Sequence, residues 1–257
     1  MTRERWAIFI DIQGFGSLWS DENRGLFALR DLMTGIYRIG KHVYPETPYR
    51  FFAYQLGDGF ILSSDFGFES LATPVAISIA LLRHVAAGYG LAKAAIAEGD
   101  MADIHGCYPK EVLASSTDTS TVAMGAGVMT LFPVMGTGLI RAYGLMNRAP
   151  TGPLLILQRD FRARISLTGP FRTVPNTDLL TLDWVHVDDP LASEIQQKAA
   201  LNHASVSSLE AKIRDYCRNT SVPKAWRTNA MRFHSVKRDA SGHNQRIHRS
   251  PDPASIK

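Results

Sequence analysis

The chain has 257 residues, 45% of them hydrophobic and 20% charged, with a formal net charge of +4. That length and apolar content suffice for one substantial core plus an appendage. No run approaches the roughly eighteen uninterrupted apolar residues of a membrane-spanning helix, and the opening Met-Thr-Arg-Glu-Arg is unlike a cleavable signal. Two widely separated cysteines, Cys107 and Cys217, outline neither a disulfide framework nor a thiolate metal site. A soluble cytoplasmic chain with no membrane partner is expected. The positive charge is concentrated late, in Lys224, Arg227, Arg232, Lys237, Arg238, Arg246 and Arg249. Lacking apolar periodicity, this stretch reads as a solvated tail, and nucleic acid is not an expected partner.

Residues 6–12 (WAIFIDI) form a short apolar run that ends in Gln-Gly-Phe-Gly, the pattern of a buried strand stopped by a glycine turn. Asp11 therefore stands at the end of the first strand. Helical spacing of Leu26, Leu29, Leu32, Met33, Ile36, Tyr37 and Val43 predicts a helix over 24–43, closed by Pro45 and Pro48. Residues 50–55 and 60–64 are β-rich arms around Leu-Gly-Asp-Gly, a hairpin signal that sets Asp58 at the tip. A second helix is predicted over 70–89, a strand over 91–97 and a Ser/Thr-rich loop over 115–121. A strand at 127–134, a helix at 136–146 and a strand at 153–157 complete the pattern, with an irregular stretch from 179 and helical spacing over 194–218.

The order β-α-β-β-α-β, then β-α-β, predicts an α+β fold of ferredoxin-like type, an antiparallel-rich sheet with helices. The main domain is expected over 1–180, a C-terminal extension with a helix over 181–235 and a disordered basic tail over 236–257. Such a fold carries no chemistry by itself.

Each aspartate alone has an ordinary explanation: Asp-Gly is a turn signal, and a strand-end aspartate often caps the next turn. In this topology, however, the first strand and the hairpin are neighbours, so Asp11 and Asp58 converge on one sheet edge. Two facing acids stay charged when hard cations sit between them, and a pair of Mg²⁺ or Mn²⁺ ions can clamp a transferring phosphoryl group. Gly14, Phe15 and Gly16 follow Asp11 where the backbone turns toward a helix, which suits main-chain N–H groups to phosphate; a plain strand-to-helix turn is the alternative. The eight histidines show no metal-ligand pairing and read as structural or solvated.

The segments FIDIQGFGSLW, YQLGDGFIL, AIAEGD and GTGLIRAYGLM are similar to the catalytic domain of class III nucleotidyl cyclases, a resemblance that covers roughly residues 4–160. It implies a cyclase domain with two metal ions per site on Asp11, Asp58 and the carbonyl of Ile12, and a homodimer with sites at the interface. Tyr54 occupies the position of the base-reading lysine or glutamate of adenylyl and guanylyl cyclases. Pro133 falls at the base-reading acid, and Ile140 and Gly144 at the late-helix Asn-x-x-x-Arg pair. These departures, Gly136 with Arg141-Ala142-Tyr143, and Lys224-Ala225-Trp226 resemble the pyrimidine cyclases of bacterial Pycsar anti-phage systems. That branch implies UTP as substrate, or CTP as the alternative, and a cyclic nucleotide read by a separate effector.

Arg141 is accordingly the candidate to replace the missing arginine, with a solvated helix face as its alternative. Arg50, Phe51 and Tyr54 are candidate nucleotide contacts, with core packing as the alternative for Phe51. Two other readings stay open. One is an inactive nucleotide-sensing domain; the other, a diguanylate cyclase or polymerase relative, is opposed by the lack of a Gly-Gly-Asp/Glu-Glu-Phe signature.

Overall fold

A computed structural model describes residues 3–14, 24–46, 51–64, 70–118, 120–219 and 222–234. Its first half runs β1 (Arg3–Ile12), α1 (Arg24–Val43), β2 (Phe51–Leu56), β3 (Gly59–Ser64), α2 (Ala72–Ala87) and β4 (Ala92–Asp103). These four strands lie in the order β2-β3-β1-β4, every neighbouring pair antiparallel, which is the expected ferredoxin-like arrangement.

The strand period of two explains why β1 reads as a continuous apolar run. Trp6, Ile8, Ile10 and Ile12 enter the core beneath α1 and α2, while Ala7 and Phe9 enter a second cluster on the other face. Nearly all of α2 is buried, so it is apolar all round rather than striped.

After β4 come α3 (Lys110–Ala114), β5 (Thr121–Met124), β6 (Gly127–Thr130), β7 (Val134–Met135), α4 (Thr137–Arg148) and β8 (Leu155–Gln158). The strand expected over 127–134 is corrected here. Pro133, which has no N–H to give a ladder, separates β6 from β7; β6 pairs only with β5 in a hairpin, and β7 pairs with β4. α4 covers the second face, where Gly99 and Gly138 let its first turn touch the backbone of β4.

The stretch from 179 is more regular than its sequence suggests. β9 (Phe171–Thr173) and β10 (Leu179–Leu182) extend the sheet beyond β8, which itself runs parallel to β4. Helices α5 (Pro190–Lys198), α6 (Val206–Asn219) and α7 (Lys224–Phe233) follow. Trp184, Ile195, Leu209, Ile213, Tyr216 and Trp226 join the cluster of β1, α1 and α2, so this C-terminal region shares one core with the first half.

Polar staples secure that junction. Arg83 donates to the carbonyls of Trp184, Val185 and Val187, and buried Asp183 accepts from the rings of His186 and His234 at 2.9 and 3.2 Å. Among the described residues, no helix is long and apolar enough to cross a membrane. The basic tail at 236–257 lies outside the described residues.

Candidate active site

Asp11 is the penultimate residue of β1, on the α4 side of the sheet with Ala7 and Phe9. Its register partners are Gly59 on β3 and Lys93 on β4. Asp58 sits one residue before Gly59, in the two-residue turn Gly57-Asp58. Chain direction and register therefore bring the two carboxylates to the same end of neighbouring strands.

The positive φ of the hairpin falls on Gly57, at 62°, rather than on the glycine after Asp58. Glycine first in a two-residue turn matches the hairpin type whose twist suits antiparallel strands. Gly59 is needed for space: a Cβ there would stand 2.9 Å from the Ile10 carbonyl and 3.0 Å from Oδ1 of Asp11. The Asp-Gly dipeptide thus serves the carboxylate beside it.

The electrostatics record how closely the acids are held. Burial, then the charge of Asp58, push the Asp11 carboxyl up to about 7, although a hydrogen bond from the Ile12 backbone and the charge of Lys93 pull the other way. Lys93 is itself buried, and that burial pulls its ammonium down to about 8, against the stabilising charge of Asp11. Its Nζ donates to the carbonyls of Met146 at 2.9 Å and Ala149 at 3.4 Å, at the C-terminal end of α4. Carbonyls at a helix C-terminus carry partial negative charge, which is why a cation is tolerated there.

Sequence reasoning missed Lys93. Its signal was a single charge in the otherwise apolar strand LAKAAIA, legible only once β4 is set beside Asp11.

Among the described residues no group of three or more His, Cys, Asp or Glu side chains gathers for a metal. The donor set on offer is two carboxylates and the Ile12 carbonyl, all oxygen. That set fits Mg²⁺ or Mn²⁺, which keep several water or phosphate ligands and rarely use an all-protein cage.

The other candidates divide. Gly14 follows Gln13 with φ of 73°, a left-handed turn suited to glycine, while Phe15, Gly16 and Arg50 lie outside the described residues. Tyr54 faces the α4 side, edge-on to Phe132 with ring centres 5.0 Å apart. It lines a cavity of about 340 Å³ with Arg5, Phe52, Ser63, Asp103 and Val134. Burial, then Asp103, raise its phenol pKa, with Arg5 opposing.

Phe51 has the contacts of its core-packing alternative. The alternation of β2 turns it to the other face, where it stacks on Tyr44 at 6.1 Å and joins the α1/α2 core. Arg141 is not beside the aspartates within one chain. It donates to the Glu98 carbonyl at 2.9 Å, five residues along β4 from Lys93, which places it roughly 16 Å from the Asp11 level at the usual strand rise.

No protein-family model and no curated protein matches the chain. Among solved structures it is similar to a bacterial light-regulated adenylyl cyclase, with 12% identity and a TM-score of 0.44, over 81% of this chain and 58% of that one. A second structure of such a cyclase gives 12% identity and 0.43 over 77% and 58%. The guanylyl cyclase Cya2 gives 13% identity and 0.41 over 74% and 95%. The chain therefore matches little more than half the length of the light-regulated enzymes.

Proposed function

We propose that the chain is a nucleotidyl cyclase that converts a pyrimidine nucleoside triphosphate, UTP ahead of CTP, to its 3′,5′-cyclic monophosphate and pyrophosphate. The observation that carries this is the convergence of Asp11 and Asp58, with a carboxyl at Asp11 so hindered in ionising that a cation is its natural counterpart. The motif resemblance to class III cyclases supplies the reaction.

Bound by Asp11, Asp58 and the Ile12 carbonyl, two Mn²⁺ or Mg²⁺ ions would supply Lewis-acid activation of the ribose hydroxyl and neutralise triphosphate charge. The chain's own part is positioning. Lys93 stands opposite Asp11 and steadies its ionised form, and the left-handed turn at Gly14 would offer a main-chain N–H to phosphate. The 3′-oxygen bonds to the α-phosphorus as the α–β phosphoanhydride bond breaks, and the hydroxyl proton passes to water. Tyr54, in its cavity, offers a ring and a hydroxyl to a pyrimidine where purine cyclases carry a charged reader.

A homodimer follows from the same reading. Met135, Ile140 and Tyr143 are more than half exposed on the α4 side, as are Met124 and Val128 on the β5–β6 hairpin, an apolar surface suited to a second copy. Arg141, remote from Asp11 in its own chain, would then reach substrate from the partner. On the resemblance to the anti-phage branch, the product is a cytoplasmic messenger read by a separate effector.

The test is incubation with ATP, GTP, CTP and UTP plus Mn²⁺, with products identified by mass. Cyclic UMP or cyclic CMP is expected, reduced at least about 100-fold in Asp11→Asn or Asp58→Asn. Turnover of either variant at the wild-type rate sinks the metal role. Retained Mn²⁺ binding without any product favours the nucleotide sensor instead, a reading prompted by Ile140 and Gly144 where cyclases carry Asn and Arg.

A further inference from the structure

Three hydrogen bonds, from the segment before β4 and from helices α6 and α7, meet on Gln13, the residue after Ile12. Its N–H donates to the Leu91 carbonyl at 2.8 Å. Its own carbonyl accepts from the Tyr216 hydroxyl on α6 at 2.9 Å, and its side-chain Oε1 accepts from the Trp226 indole on α7 at 3.1 Å. Both aromatic residues are almost wholly buried, their rings 5.2 Å apart. The guanidinium of Arg24, the first residue of α1, lies 6.0 Å over the Tyr216 ring. The chain thus leaves β1 at Gln13 and re-enters at α1 against one aromatic pair.

We propose that Tyr216 and Trp226 are positioning residues of the metal site, acting through Gln13 from the C-terminal helices. The inference rests on the metal reading of Asp11, Ile12 and Asp58. Its reason lies in the planarity of the peptide bond. Gln13 N–H and Ile12 C=O belong to one trans peptide, so the bond to Leu91 turns the Ile12 carbonyl away from β4. Gln13 C=O and Gly14 N–H belong to the next, so the Tyr216 bond turns the Gly14 N–H away from α6. Two consecutive planes, carrying the candidate metal carbonyl and the first candidate phosphate donor, are set this way.

The test uses full-length Tyr216→Phe, Trp226→Phe and Gln13→Met, the first two keeping a ring in place. Mn²⁺ binding is followed by electron paramagnetic resonance, and product formation is measured as a function of Mn²⁺. Each variant is expected to need at least threefold more Mn²⁺ for half-saturation, with turnover at saturating Mn²⁺ within twofold of wild type. Trp226→Phe combined with Gln13→Met should be no worse than the weaker single variant, because both delete one bond.

Amide exchange at residues 12–14, read without metal, should quicken in Tyr216→Phe. Wild-type Mn²⁺ affinity in both aromatic variants, or multiplicative losses in the double variant, overturns the inference alone. Wild-type protein that binds no Mn²⁺ overturns the metal reading and the inference with it. Should Trp226→Phe not fold, Tyr216→Phe and Gln13→Met decide the matter by the same criteria.

Discussion

Lys93 shows how one side chain links site and scaffold. Its ammonium faces Asp11 across the β1–β4 register and holds the final carbonyls of α4. Lys93→Met keeps much of the bulk and leaves those carbonyls without their donor, an expected loss of about 1–3 kcal/mol in urea unfolding. An unchanged midpoint would show that water replaces the ammonium there.

His84 makes a second residue-scale prediction. It is buried; its Nδ1 accepts from the Asn202 N–H at 2.8 Å, so its Nε2 carries the proton given to the Asp31 carbonyl at 3.0 Å. Burial, only partly offset by Asp31, lowers its pKa from the ordinary 6.5. Below that value the unfolded chain takes up a proton that the folded ring refuses, so stability is lost as the pH is lowered, by at most about 1.4 kcal/mol per unit. His84→Gln should flatten the slope of unfolding free energy at pH values below the ordinary 6.5; an identical slope in both proteins counts against the assignment.

At the scale of elements, two glycines set distances that no side chain could. Gly59 makes room on β3 for the Asp11 carboxylate, so Gly59→Ala should move that carboxylate and cut turnover at least about tenfold while the fold persists, checked by circular dichroism. Gly99 has a different task. A Cβ there would collide with the backbone of Thr137 and Gly138, where α4 starts. Relief requires moving a whole helix, so Gly99→Ala should cost at least about 1–3 kcal/mol by chemical denaturation.

The hairpin and both long helices were legible because their signals are local. Gly57-Asp58-Gly59 carries its own turn geometry, and the apolar spacing of α1 matches its observed limits. The β6–β7 break and strand β10 were less so, since β7 pairs with β4 and β10 with β8, partners that lie outside any local window.

Across the whole molecule, Trp184, Tyr216 and Trp226 complete a core begun by β1 and α1. A chain truncated after residue 180 should therefore lack cooperative thermal unfolding, with scanning calorimetry as the check; a sharp transition would show that the first half folds alone. The order of elements as far as β4, the ferredoxin-like core they form and the placement of Asp11 and Asp58 follow from the amino-acid sequence, because strand period, helix spacing and turn chemistry act over a few residues. Lys93 opposite Asp11, the distance of Arg141 and the hold of Tyr216 and Trp226 on Gln13 were decided by tertiary structure. Each depends on strand register or on contacts between residues up to 213 positions apart, which no local pattern encodes.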